Sequence, residues 1–415
     1  MKMLKVSGYC YPEKISSTHL SEDLTQAYIA AGFTIEQFCP TPTRGITAAE
    51  RERYKKIKYE ELHDGHVKIH RFAMFGEGKN PVLRAVRYTL VQLVQYFKYC
   101  GAKDVDVIMA GSTPPTQGVL SALIKKRLSK KYKRDVPFVY NLQDLFPESL
   151  SGTGLAKKGS FLYKLGEKIA AYTYKNADRI IVISKDFKRI LLEKGVPEEK
   201  ITVIYNWVDE QTVRNIPREE NALYDEYGLD RSKFYAAYSG NIGHTQNWEL
   251  LLDVAETLRD IDKVGFIVVG NGAHKEQLEA AIAERGLTNI TLIPFQPYER
   301  ISEVFSLGDV GLLISKSGVG SNSVPSKTWS YLSAERPVLA SFDLDSELCE
   351  LIEDNRFGVC VSPDDKDGFI EALLTLGSKT AARQKIGENG RAYLLANLTK
   401  ETCTAQYVDV LRSLT

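Results

Sequence analysis

A lysine in the first turn of a helix is electrostatically out of place. Lys327 in "SKSGVGSNSVPSKTWSYLS", Ser315 to Ser333, reads as such a residue. The helix macrodipole disfavours a cation there by a few tenths of a kcal/mol, so a solvated surface lysine is one reading. The other is that an anion shares the helix start, held by free backbone N–H groups and the ammonium group together. The segment before Lys327 adds Gly318, Gly320, Asn322, Ser326 and Lys316. Ser323 reads as an N-cap and Pro325 as a first-turn residue, and neither accounts for Lys327. Lys275 in "GNGAHKEQL" also lies early in a helix, but Glu276 and Glu279 are placed to form ordinary surface pairs with it.

Two glycine turns raise the chance that the anion is a phosphate. "SGNIG" carries Gly240, Asn241 and Gly243, and "VGNG" carries Gly270 and Gly272. Each follows an apolar run and precedes a helical one, where backbone N–H groups can meet a phosphate, although a glycine there can also merely relieve strain. Neither G-x-G-x-x-G nor the Walker pattern occurs, which lowers the prior for a nucleoside triphosphatase.

In the first half, "NLQDLFPES" places Asp144 and Glu148 just beyond a strand. Either could be a turn residue. Asp144 is the better functional candidate, being nearer the strand and beside apolar Leu145 and Phe146, where it could orient a substrate hydroxyl. His19 in "PEKISSTHLSEDL" falls near a helix start behind the potential caps Ser16, Ser17 and Thr18. His63, His66 and His70 do not read as a metal set, since His66 and His70 on one strand face would lie about 13 Å apart. No G-x-S-x-G elbow or favoured Cys/His pair supports covalent catalysis.

These residues need a scaffold of strand ends. The runs "LKVSGY", "FTIEQF", "VKIHRF", "VDVIMAG", "PFVYNL" and "DRIIVIS" alternate with helical patterns, and "FYAAYSGNIG", "VGFIVVGNG", "ITLIPF", "DVGLLIS", "RPVLASF" and "FGVCV" repeat the alternation. That predicts α/β architecture with two mostly parallel sheets, joined around Ile204 to Gly228. Ligands are expected in a cleft between the sheets, outside the carboxyl ends of their strands.

With 54 Lys plus Arg against 53 Asp plus Glu, no global field favours nucleic acid. Six scattered cysteines without C-x-x-C suggest inert thiols and a reducing compartment. No run is long and apolar enough to predict a membrane span, so the expectation is a cytoplasmic protein with surface attachment to a membrane left open. The segment 80–99, "NPVLRAVRYTLVQLVQYFKY", carries Leu83, Val86, Leu90, Leu93 and Phe97 at helical spacing among cations, without a carboxylate. It reads first as a core-facing helix, with a helix lying on a membrane surface as the rival.

Taken in order, "YPE" (Tyr11 to Glu13), "AAGFTI", "LQDLFPES", "ADRIIVIS", "IYNWVD", "YSGNIGHTQNWELLLDVA", "FIVVGNG" and "VPSKTWSYLSAERPVLAS" resemble retaining glycosyltransferases of family 4, in the branch that builds bacterial capsule and O-antigen chains and includes amino-sugar transferases. The resemblance implies the GT-B fold, with two Rossmann-like domains facing across a cleft. Residues 1–205 would form the acceptor-binding domain and 206–390 the nucleotide-sugar domain, while 391–415 would be a C-terminal helix packing back on the first. It implies a UDP-sugar donor carrying an N-acetylated hexosamine, a polyprenyl-diphosphate-linked acceptor, no obligatory metal and no other cofactor. Catalytic roles fall on Asp144, Lys327 and His19. Donor contacts fall on Ser16, Ser17, Gly240, Asn241, Gly243, Gly270, Gly272, Lys275, Asn322, Ser326 and Ser330. The family's paired glutamates correspond to Asn322 and Ser330, the glycine ending that helix to Glu335, and the glycines of the first loop to Ser16 and Ser17. These departures keep a noncatalytic nucleotide-sugar-binding or assembly protein in view, and an epimerase of the same fold is a further rival.

Overall fold

A computed structural model of the chain describes residues 1–13, 18–76, 80–149, 157–318, 320 and 325–415, without the side chains of Pro81 and Val82. The chain divides into two compact units, Met1–Tyr205 with Thr404–Thr415, and Asn206–Cys403.

The first unit is built on an eight-stranded sheet. Its strands are β1 (Lys2–Val6), β2 (Thr34–Pro40), β3 (Tyr59–Leu62), β4 (Val67–Phe72), β5 (Val107–Gly111), β6 (Phe138–Leu142), β7 (Arg179–Val182) and β8 (Ile201–Val203), in the order β3-β4-β2-β1-β5-β6-β7-β8. Every pairing is parallel except β3 with β4. The strand order reverses between β1 and β5, the kind of position at whose carboxyl ends sheets of this class bind ligands. The end of the chain belongs to this unit: Tyr407 meets Asn141 at 3.2 Å, and Arg412 donates to the Ala31 carbonyl.

The second unit holds six parallel strands, β9 (Phe234–Asn241), β10 (Val264–Asn271), β11 (Ile290–Pro294), β12 (Val310–Ile314), β13 (Val338–Ser341) and β14 (Gly358–Val361), in the order β11-β10-β9-β12-β13-β14. All six follow the apolar runs of the sequence, because both faces of the sheet are covered and Ala236, Phe266, Leu312 and Leu339 are fully buried. The order reverses between β9 and β12. Lys327 is carried by the helix that follows β12.

Two expectations are corrected. Cys349 and Cys360 are not separate inert thiols: they form a disulfide, with Cα atoms 5.7 Å apart, because the chain turns directly from the Glu347–Asp354 helix into β14. The Pro81–Gly101 helix does not bury its apolar stripe. Its core face carries Arg87, Val91, Gln95 and Tyr99, while Leu83, Val86, Leu90, Leu93 and Phe97 are exposed. The polar groups face inward because they satisfy buried backbone: Arg87 Nε donates to the Phe75 carbonyl, Gln95 Nε2 to the Ser7 and Phe38 carbonyls, and Tyr99 Oη to the Lys5 carbonyl.

Candidate functional site

Lys327 is the first residue of the Lys327–Ser333 helix, with Ser326 at the N-cap making no side-chain cap hydrogen bond. The helix therefore starts later than expected from the sequence. Pro325 precedes the cap, and Ser323 and Asn322 lie outside the described residues. The side chain of Lys327 folds back toward β9, and its ammonium nitrogen sits 3.7 Å from the centroid of the Tyr238 ring. The residue as a whole is half-buried, but its ammonium end is desolvated, which lowers its pKa from 10.5 to about 7. Among the described residues no carboxylate lies within ion-pair distance of it. A cation–π contact recovers only part of the lost hydration, so this helix start holds a cation that an anion would stabilise.

The helix is fixed from behind. Tyr331 Oη donates to the Ala237 carbonyl at 2.7 Å, its ring fills the space above Gly311, and Trp329 is buried. At the far end the Glu335 N–H reaches the Leu332 carbonyl and the Arg336 N–H the Tyr331 carbonyl, the two bonds of a Schellman cap. Glu335 is left-handed, φ 57°, at the position that the family resemblance gives to glycine. Ser330 lies one turn beyond Lys327 and, at i+3, shares its side of the helix.

The glycine turns approach this lysine closely. Gly240 has φ +140°, and a Cβ there would stand 3.3 Å from Lys327 Nζ. Gly270, φ +155°, lies against Gly240 so tightly that a Cβ would come within 1.9 Å of the Gly240 carbonyl oxygen. Gly272 is equally constrained, by the Ile242 carbonyl. Two of the turn N–H groups are already engaged, Gly243 with Gln246 Oε1 at 3.0 Å and Gly272 with Asn271 Oδ1 at 2.8 Å. A bound diphosphate would have to displace those side chains to use them. Asn241 is exposed at the strand end, and the Tyr238 hydroxyl donates to its carbonyl.

Several neighbours were missed in the sequence. His244 and His274 follow β9 and β10 and meet edge to face, with ring centroids 5.4 Å apart. Desolvation first, then the charges of His244 and Lys316, lower the pKa of His274. Lys316 follows β12, so this strand end carries a lysine and two imidazoles, with His274 held toward its neutral form. Asp343 accepts from the N–H groups of Gly318 and Gly320 at 2.9 and 2.8 Å, anchoring the loop that leads to Lys327. His244 and His274 stand just after the two glycine turns in the sequence, but only the pairing of β9 with β10 brings them together, and Asp343 lies more than twenty residues beyond the loop it anchors. Lys275 is the first residue of the Lys275–Glu284 helix and pairs with Glu279 at 3.4 Å, an ordinary surface contact.

In the first unit, Asp144 follows β6. Its N–H donates to Ser112 Oγ, and Ser112 and Thr113 follow β5. The residue is exposed, yet desolvation raises its carboxyl above the ordinary aspartate range, opposed by a hydrogen bond from Thr113. Glu148, the other carboxylate of the motif, is tied to Lys194. His19 is exposed in the first turn of the Thr18–Ala30 helix. Ser16 and Ser17 lie outside the described residues. His63 and His70 are paired with Glu22 and Glu36.

The family model described as Glycosyltransferase Family 4 matches residues 19–212, and that described as Glycosyl transferases group 1 matches residues 220–393. Escherichia coli (strain K12) WcaI, named as a colanic acid biosynthesis glycosyl transferase, is 29% identical over 287 residues, covering 66% of this chain and 67% of its own. Pseudomonas aeruginosa WbjE, named as a glycosyltransferase, is 26% identical over 281 residues, covering 66% and 68%. Among solved structures, Anabaena HepE in complex with UDP superposes with a TM-score of 0.71 at 17% identity over 100% of both chains. WaaG, a glycosyltransferase involved in lipopolysaccharide biosynthesis, gives 0.66 at 13% identity, covering 99% of each chain. With two Rossmann-like units built on mostly parallel sheets and the two family models matching one unit after the other, the chain belongs to glycosyltransferase family 4 and has the GT-B fold.

Proposed function

We propose that this glycosyltransferase moves a sugar, an N-acetylated hexosamine in our reading, from a uridine diphosphate donor to a polyprenyl-diphosphate-linked acceptor at the inner face of the cell membrane, in surface polysaccharide synthesis. The observation that carries the donor half is Lys327, a desolvated cation without a carboxylate partner among the described residues, placed beside Gly240 where the strand order reverses. The names of WcaI and WaaG support the polysaccharide setting, and the UDP bound by HepE supports the nucleotide.

In this reading the bond between the anomeric carbon and the diphosphate oxygen breaks, and its electron pair stays on the diphosphate. Lys327 stabilises the charge that develops there, a contribution that can reach about 3 kcal/mol for one well-placed donor. The acceptor hydroxyl attacks the same face of the sugar and passes its proton to the departing diphosphate. The product therefore keeps the anomeric configuration. Asp144 orients a hydroxyl of the sugar or acceptor. No metal is required in this scheme, since Lys327 carries the counter-charge.

NMR of the product glycoside tests the stereochemistry: the account predicts retention, and inversion would remove front-face transfer. The rival reading, a noncatalytic binding protein, gains no specific observation from the site. It would be favoured by nucleotide-sugar binding without turnover across a panel of donors and lipid-linked acceptors.

A further inference from the structure

The exposed face of the Pro81–Gly101 helix is left unexplained by donor chemistry. Leu83, Val86, Leu90, Leu93 and Phe97 follow one another at intervals of three and four residues, and they are 40 to 67% exposed. A continuous stripe of this kind on a water-soluble surface marks an interaction site. It is not a misplaced core face, because the opposite side of the helix is buried and hydrogen-bonded to backbone.

The charge around the stripe identifies its occupant. This helix packs against the Gln117–Tyr132 helix, which packs in turn against the Phe161–Asn176 helix. The first two contain no carboxylate, and the second carries Lys125, Lys126, Arg127, Lys130 and Lys131. Lys125 is paired with Asp178, but Arg127 and Lys130 are exposed, and Lys126 reaches across to the Tyr172 hydroxyl at 3.1 Å on the outer surface. Phe97 and Lys98 also line a depression of about 450 Å³ with Lys103, Lys2 and Glu36, the last two paired with each other at 2.7 Å. The third helix adds Phe161, Leu162 and Leu165, again exposed.

We infer that this three-helix layer docks on an anionic phospholipid surface, with the apolar stripe entering the headgroup boundary and the lysines and arginines meeting lipid phosphates. Amphipathic helices with a cationic border bind in this way, and each basic residue near the surface adds about fivefold in affinity. The rival occupant is a second copy of this chain, since a three-four repeat is also the seam of a helix pair. Charge opposes it: two copies would bring like-charged, carboxylate-free helices together, whereas an anionic layer neutralises them. The inference does not depend on which donor the enzyme uses.

The test is co-sedimentation of the full chain with vesicles of phosphatidylcholine alone and of two parts phosphatidylcholine to one part phosphatidylglycerol. The protein is expected to bind the anionic vesicles and to leave the zwitterionic ones largely unbound. The double variant Leu93→Ser with Phe97→Ser should weaken binding about tenfold or more. Lys126→Gln with Lys130→Gln should weaken it by a similar factor, with a reduced salt dependence. Melting temperature and UDP affinity, both measured without vesicles, should stay unchanged in the variants, which separates this surface from the donor site. Equal binding of the wild type to both vesicle types, or unchanged binding of the variants, would overturn the inference. So would a dimer in sedimentation equilibrium that Leu93→Ser with Phe97→Ser disperses, without vesicle binding by the wild type.

Discussion

The ammonium nitrogen of Lys327 stands 3.7 Å from the centre of the Tyr238 ring, and a Cβ on Gly240 would meet that nitrogen at 3.3 Å. A tyrosine from β9 thus floors the lysine, and a glycine in the left-handed region gives it room. Both features lie on one strand end, which explains how a cation at a helix start can be held close to the place where a diphosphate would lie.

The first prediction concerns charge. Lys327→Met keeps the length and removes the ammonium group, so sugar transfer should fall by about a hundredfold or more. The unliganded protein should become more stable, because an unpaired charge no longer loses hydration. The sign follows from linkage: the pKa falls from 10.5 in the unfolded chain to about 7 in the fold, so the penalty is fully present below about 7 and fades as pH rises toward 10.5. Thermal melts at pH 6 and pH 9.5 check it. The variant's advantage should be larger at the lower pH, and a variant less stable at pH 6 would contradict the account.

The second concerns donor binding. A diphosphate beside Lys327 favours the charged lysine, so its pKa should rise from about 7 on binding. Between pH 7.5 and 9, UDP should bind with proton uptake, and its affinity should fall with rising pH, by up to about tenfold per unit. Calorimetry in buffers of different ionisation enthalpy measures the uptake. It should vanish in Lys327→Met.

A third follows from Glu335. A side chain in left-handed backbone costs about 1–2 kcal/mol, and Glu335 has φ 57°. Its carboxylate contact with Asn215 is exposed and worth less. Glu335→Gly should therefore stabilise the protein by about 1 kcal/mol and raise the melting temperature by about 2–4 °C. A lowered melting temperature would show that the Asn215 contact matters more than the backbone.

The fourth addresses Asp144. If its carboxylate orients a reacting hydroxyl, Asp144→Asn should lower kcat by about 10- to 100-fold, the value of a hydrogen bond to a charged group. UDP affinity should remain unchanged. A loss of UDP affinity with kcat intact would assign Asp144 to the donor instead.

Much of this scaffold was legible in the chain, for a physical reason. Strands β9, β10, β12 and β13 are buried along nearly their whole length, so each appears as an apolar run, and the glycines at 240, 243, 270 and 272 mark where two of those runs stop. By contrast, β3 is "YEEL" with no residue fully buried, and β8 has only three residues, so neither leaves a periodic signal. The Pro81–Gly101 helix shows the limit of periodicity: spacing identifies the apolar face, but only the backbone carbonyls awaiting Gln95 and Tyr99 decide which face turns inward. Lys327 could be singled out from its place at a helix start. The contact of Tyr238 with Lys327 and the anchoring of Gly320 by Asp343 could not, because those partners lie on other elements of the chain. The pairing of Cys349 with Cys360 escaped similarly, since eleven residues of separation say nothing of a helix folding back beside a strand.

The central claim is that the donor's diphosphate meets the ammonium group of Lys327 at the end of β9. A crystal structure of this chain with UDP tests it most directly. The account predicts a diphosphate oxygen within hydrogen-bond distance of Lys327 Nζ and beside Gly240. UDP seated at another place, with Lys327 still folded onto Tyr238 and no phosphate oxygen near it, would contradict it.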